Sequence, residues 1–135
     1  MIKYVTVGNY EPEVATDGSA GIDLYVNQIE GDTLWTGVHV EIPLGYVGLI
    51  VPRSSWGKKG FSLANTVGVI DSDYRGEIAL LRDYHPHKGH LKISEGDKVA
   101  QLVVVPCMTK VHKCEQLSDL GETARGTGGF GSTGG

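Results

Sequence analysis

Residues 65–81 read NTVGVIDSDYRGEIALL, and Asp71, Asp73, Tyr74 and Arg75 fall within five consecutive positions of that stretch. Before the cluster stand Val67, Val69 and Ile70, and after it Ile78, Leu80 and Leu81. Apolar, partly β-branched flanks around a DSD triplet predict two strands reversed by a tight turn. Either aspartate alone is accounted for as a turn former, because its carboxylate bonds to the backbone just ahead of it. Two aspartates beside a tyrosine ask for more. A hairpin of this kind presents backbone donors and acceptors at its edge, a carboxylate at its tip and a ring on its flank, which together suit a nucleoside.

Similar short apolar runs recur on both sides: KYVTV (3–7), IDLYV (22–26), GVHVEIPL (37–44), YVGLIVP (46–52), EIALLRDY (77–84), HLKI (90–93) and KVAQLVVVP (98–106). Gly, Pro, Asn, Asp or Ser bounds each, and none sustains a 3.6-residue stripe, so the pattern predicts an all-β sandwich or barrel. Helix is expected only as fragments around RSSWGKK (53–59) and EQLSDLG (115–121), where glycines cut the pattern short.

A chain of 135 residues suits one domain with a real core. Sixteen acidic residues against twelve basic ones leave a formal charge of −4, which argues against a general nucleic-acid coat and makes any phosphate site local. No segment reaches the roughly 20 apolar residues of a membrane helix, and the N-terminus lacks a secretory apolar stretch, so a soluble, cytoplasmic protein with no membrane partner is expected. Cys107 and Cys114, the only cysteines, form neither a redox CxxC nor a four-ligand zinc pattern, and read as reduced structural thiols.

Other stretches carry chemistry less plainly. VPRSSWGKKG (51–60) offers Arg53, two hydroxyls and two lysines around glycines, which reads equally as a phosphate seat or as a solvated basic turn. HPHKGH (85–90) brings three histidines together without a nearby carboxylate or cysteine and is read as a loop with no assigned role. GTGGFG (126–131) matches GxGxxG, but only four residues follow it, too few for the helix a dinucleotide site requires. After Leu120 a stretch with six glycines between 126 and 135 and a single large apolar residue, Phe130, predicts a mobile arm over 121–135 beside a folded domain over 1–120. That arm is either inert or a flap that orders over a ligand, with Phe130 as its stacking face and Arg125 as its cation.

Five segments taken in order, AGIDLYV, PRSSWGKKG, GVIDSDYRGE, GDKVAQLVV and RGTGGFGSTG, resemble the five motifs of the trimeric deoxyuridine triphosphatase (dUTPase) family and spread from Ala20 to Gly134. The resemblance implies a jelly-roll (β-clip) fold and a homotrimer whose active sites are shared between subunits. It also implies hydrolysis of dUTP to dUMP and pyrophosphate, which limits uracil in DNA and supplies dUMP for dTMP. By the same resemblance Asp71 activates the water that attacks the α-phosphorus, and Asn65 with the Gly68 backbone reads uracil. Tyr74 packs under the deoxyribose. Arg53, Ser54 and Gln101 meet the phosphates; Arg125, Gly131, Ser132 and Thr133 close on the terminal group, and Phe130 covers the base. Asp23 is implied to place Mg2+ through water. Ser55 and Trp56 depart from the family pattern, which continues with glycine and leucine after PRS, so Lys58 and Lys59 receive no role.

Aspartate carboxylates are ionised at neutral pH, so Asp71 needs no special tuning to accept a proton. General-base help contributes on the order of 10²- to 10⁴-fold, leaving the larger share to charge neutralisation over the phosphates. Two rival readings remain. A dCTP deaminase shares the RSS segment but would carry a catalytic glutamate and a different turn. A non-catalytic dUTPase-like module would bind nucleotide only to control a protein partner.

Overall fold

The structure is a computed structural model that describes residues 1–83 and 91–134. The histidine stretch His85, His87 and His90 therefore lies outside the described residues. Among the described residues nine strands and two short helices follow in the order β1 (Lys3–Thr6), β2 (Ile22–Leu24), β3 (Gln28–Glu30), β4 (Thr33–Trp35), β5 (Val38–Glu41), β6 (Tyr46–Pro52), α1 (Ser54–Lys58), β7 (Gly68–Ile70), β8 (Ala79–Leu81), β9 (Ala100–Pro106) and a 3₁₀ turn at Leu117–Leu120. Both helical fragments fall where the interrupted helical pattern predicts them.

The spine is the antiparallel pair β6 and β9, in register from Tyr46 opposite Pro106 to Pro52 opposite Ala100. YVGLIVP and AQLVVVP supply the β-branched side chains that fit a pleated surface, and a proline closes each run. β2 flanks this pair on one side and β7 on the other, giving the order β2-β9-β6-β7; a second sheet runs β3-β4-β8, and β1 pairs with β5. Val38 and Val40 of β5, Ile50 of β6, and Ala100 and Leu102 of β9 point inward at alternate positions. They meet Leu24, Leu34, Ile78 and Leu80 in one core, where each fully buried aliphatic side chain contributes roughly 1.5–3 kcal/mol. Thr36 is buried with its hydroxyl donating to Ile78 O at 2.7 Å, which ties the β4–β5 corner to the approach of β8.

Three local expectations need correction. HLKI is not a strand over its described residues 91–93: Ile93 is buried there without a ladder, and the Arg82 guanidinium donates to the Leu91 carbonyl in place of a strand partner. The β3–β4 hairpin escaped the periodic reading because its strands are three residues each, although Gly31 at φ 59° followed by Asp32 makes the two-residue loop that joins them. Most important, the limbs around DSD do not pair with each other. β7 joins β6, whereas β8 joins β4 in the other sheet.

Candidate active site

Because β7 is the outer strand of one sheet and β8 the outer strand of another, two open sheet edges face a common gap. A free edge exposes unpaired N–H and C=O groups, which is usually a liability. Here each edge is only three residues long, and the gap is a cleft of about 300 Å³ lined by Asn65, Gly68, Asp71, Tyr74 and Glu77, with Leu63 and Leu80 among its apolar wall. Its far end is shut where the limbs meet again, with Leu63 bridged to Arg82 and Ala64 N donating to Leu81 O at 2.9 Å. The volume and lining suit a flat, polar-edged ring inserted between the two limbs.

The turn at the mouth is stiff. Tyr74 N donates to Asp71 O at 3.1 Å, and Arg75 Nη1 donates to Ser72 O at 2.7 Å and to Tyr74 O at 3.1 Å. The Arg75 carbonyl in turn accepts from His39 Nδ1 at 2.8 Å. Tyr74 lays its ring back along the chain, its hydroxyl donating to Glu77 O at 2.9 Å. This pose requires Gly76, since a Cβ there would stand 2.3 Å from the Tyr74 hydroxyl oxygen. Glu77 Oε2 accepts from Gly37 N at 3.1 Å and anchors the outgoing limb to the core corner. Neither Gly76 nor Glu77 had been assigned a role from the sequence; the spacing Tyr-x-Gly was the available signal.

Asp71 and Asp73 share one hollow, beside Tyr46 and Cys107, but only Asp71 also borders the cleft. Asp71 is exposed on the rim of the cleft, while Asp73 turns toward a separate hollow beside Lys3, Leu44 and Arg75. On the opposite wall Asn65 Nδ2 donates to Val67 O at 3.3 Å across Thr66, a β-branched residue at φ 65°. That left-handed conformation is uncommon for such a residue and marks a sharply bent entry to β7.

A second group gathers at the end of the spine. β9 places Gln101 opposite Asp23 on β2 and opposite Val51 on β6. Asp23 is 5% exposed, and its Oδ1 lies 3.3 Å from Arg53 Nε. A Cβ on Gly21 would stand 2.0 Å from Gln101 Oε1, so Gly21 makes room for that amide. Ser54 opens α1 and is exposed. Trp56, the departure from the family pattern, packs partly buried against the core, and Lys59 Nζ sits 4.2 Å from its ring centroid. Among the described residues no group of three or more His, Cys, Asp and Glu is placed to hold a metal ion.

The third group stays apart from both. Of the described residues beyond Cys107, all but Cys114 and Gly128 are exposed, and Phe130 is wholly so. Arg125 Nε donates to Gly128 O at 2.7 Å inside a local turn. Neither Arg125 nor Phe130, Gly131, Ser132 or Thr133 lines the cleft in the single chain, and Arg53, Ser54 and Gln101 do not line it either. Cys107 and Cys114 are both free thiols.

The all-β fold thus sets a cleft between two sheet edges, with the ion-paired group of Arg53, Asp23 and Lys98 apart from it. A dUTPase family profile matches residues 10–134. The deoxyuridine 5'-triphosphate nucleotidohydrolase of Escherichia phage T5 is 51% identical over 100 residues, covering 73% of this chain and 66% of that protein. The enzyme of the same description from Cutibacterium acnes is 39% identical over 141 residues, covering 99% and 91%. A solved structure of a mutant dUTPase from Staphylococcus bacteriophage 80alpha with dUpNHpp aligns over 99% of this chain and 98% of that one, at 25% identity and a TM-score of 0.82. The chain belongs to the dUTPase family, a family of dUTP-hydrolysing enzymes.

Proposed function

We propose that this chain hydrolyses dUTP to dUMP and pyrophosphate, with the uracil held between β7 and β8 and Asp71 activating water at the α-phosphorus. The observation that carries this reading is the cleft of about 300 Å³ with an exposed aspartate on its rim and a braced tyrosine on its flank. Uracil presents a fixed row of donors and acceptors along one edge, which the unpaired backbone of β7 meets without any charged side chain. Cytosine reverses part of that row and leaves buried groups mispaired. A thymine methyl is worth only about 1–3 kcal/mol in a soft pocket, so its rejection rests on rigid limbs, for which the bonds at Arg75, Tyr74 and Glu77 provide. In this reading Tyr74 stacks under the deoxyribose and leaves no room for a ribose hydroxyl.

In this reading Arg53, Ser54 and Gln101 receive the phosphate chain, and Arg125 with Gly131, Ser132 and Thr133 closes on its end while Phe130 covers the base. These groups stand apart from the cleft of their own chain, which supports a homotrimer in which different subunits complete one site. An arginine about 4 Å from a phosphate charge gains roughly 4 kcal/mol at an effective dielectric near 20, and more once a flap expels water. We assign residues 121–135 to that flap.

The residues fit Mg2+ only as an ion carried by the nucleotide. The carboxylate of Asp23 already faces two cations, Arg53 Nε at 3.3 Å and Lys98 Nζ at 3.4 Å, so its place is outside the metal's direct shell, reached through water. When bound, the ion neutralises phosphate charge. Asp71 then holds and deprotonates the attacking water, the cleft fixes the nucleoside, and the arginines bear the charge that moves onto the departing pyrophosphate. The products make the chain a route for removing dUTP and supplying dUMP. Among the described residues no helix is long and apolar enough to cross a membrane.

Pyrophosphate release measured across dUTP, dTTP, dCTP and UTP tests the reading. Release from dUTP far above the other three is expected. Ammonia from dCTP would establish the deaminase instead, and nucleotide binding without pyrophosphate release would establish a non-catalytic module.

A further inference from the structure

Arg53 is not free to point anywhere. Its Nε faces Asp23 Oδ1 at 3.3 Å, its Nη1 donates to the Lys98 carbonyl at 3.1 Å, and its own N–H donates to Val99 O at 2.9 Å. Nη2 and one remaining N–H of Nη1 are what is left to offer a ligand. The other oxygen of the Asp23 carboxylate, Oδ2, is met by Lys98 Nζ at 3.4 Å. That ammonium is gripped by Glu13 Oε1 at 2.8 Å and lies 5.6 Å from the Tyr25 ring centroid, and Tyr10 stacks on Tyr25 with centroids 5.5 Å apart. Glu13 is itself bridged to Asp23 through the backbone, Asp23 N donating to Glu13 O at 2.7 Å and Glu13 N to Asp23 O at 3.2 Å. The order Glu13, Lys98, Asp23, Arg53 thus alternates charge and ends on the one cation with donors still to spend.

We propose that Lys98, clamped by Glu13, is a positioning residue for the phosphate seat: it takes the half of the Asp23 carboxylate that Arg53 does not, and so keeps the outer N–H groups of Arg53 turned toward the nucleotide. The inference rests on the reading above that Arg53 meets phosphate. Asp23 is almost wholly buried, and a buried carboxylate that loses one cation draws harder on the other. Without Lys98 the guanidinium closes its fork on Asp23 and spends on a carboxylate the donors meant for phosphate. Glu13 and Asp23 both engage the Lys98 ammonium, so it acts on the seat through Asp23. The raised pKa of Lys98, caused first by its bond to Glu13, agrees with this confinement.

The test compares two probes, the α,β-imido analogue of dUTP and deoxyuridine, by calorimetry on the wild type and on Lys98→Met, Lys98→Arg, Glu13→Gln and Arg53→Gln, with Tm measured for each. Lys98→Met is expected to weaken the triphosphate analogue about tenfold and leave deoxyuridine binding unchanged, because only the phosphate end is disturbed. Lys98→Arg restores most of that loss. Glu13→Gln weakens the analogue less, and adding it to Lys98→Met costs nothing further. If Lys98→Met weakens both probes alike, or neither, while Arg53→Gln weakens the analogue, Lys98 does not position the seat and the inference is overturned. If Arg53→Gln leaves the analogue unaffected, the phosphate role of Arg53 falls first and takes the Lys98 proposal with it.

Discussion

Tyr74 and Phe130 are both aromatic rings set among glycines, yet among the described residues only the turn that carries Tyr74 is tied to distant strands. Tyr74 lies over Gly76 with its hydroxyl bonded to Glu77 O, on a turn fastened by Arg75 between two sheets. Phe130 stands fully exposed at φ 47° in a segment whose bonds, among the described residues, are local. Each ring is expected to touch the same nucleoside, one from the flank and one from above. Order here comes from what holds the neighbouring backbone. Strand edges hold the backbone around the first ring; on the reading proposed above the second is ordered by the ligand, at an entropic cost that its glycines raise.

The largest effect should come from the fixed region. Asp71→Asn keeps the shape and removes the base, so kcat should fall by roughly 10²- to 10⁴-fold while the imido analogue binds nearly as before. Equal losses of rate and of binding would make Asp71 a binding residue. Removing the chain from Thr127 onward, which takes away Phe130, Ser132 and Thr133 but keeps Arg125, should lower kcat/KM by about 10²-fold or more, as loss of hydrogen-bond donors to developing charge does, with Tm unchanged. A clear fall in Tm would mean that the segment is part of the folded body, and the contrast between the two rings would dissolve.

Gly76→Ala sharpens the same contrast from the other side. Its Cβ would displace only the ring of Tyr74, so a drop of about tenfold in kcat/KM and weaker discrimination against UTP are expected with little change in Tm. Unchanged discrimination would remove Tyr74 from sugar selection. The smallest effect is set at the exposed end of the ion chain. The bond and charge of Lys98 hold the Glu13 carboxyl below its ordinary value of 4.5, so its stabilising contribution is present above that value and lost as pH falls through the lower, folded one. The wild type should therefore exceed Glu13→Gln slightly in Tm at neutral pH, with the gap closing in acid; exposed pairs contribute little, and a gap that widened in acid would contradict the assignment.

Period-two patterning found the strands that bury alternate side chains, such as Val38 and Val40 or Ala100 and Leu102, because burial on one face writes itself directly into composition. It failed at β3 and β4, too short to show a period, and at HLKI, whose described part is buried without being a strand. The motif segments named the groups Asn65, Asp71 and Tyr74 as partners in one place, and the cleft does bring them together. Lys98 and Glu13 stayed invisible, since a lysine before a strand and a glutamate 85 positions away look like ordinary solvated charges.

By itself, then, the amino-acid order determined the all-β class, the two helical fragments, the turn at Asp71 and the family. Only tertiary structure decided that the limbs of that turn belong to different sheets, that Asp71 rather than Asp73 borders the space between them, and that three charges line up behind Arg53. Local sequence specifies which face of a strand is apolar. Which partner an edge finds depends on backbone bonds between segments far apart in the chain, and that choice leaves no period to read.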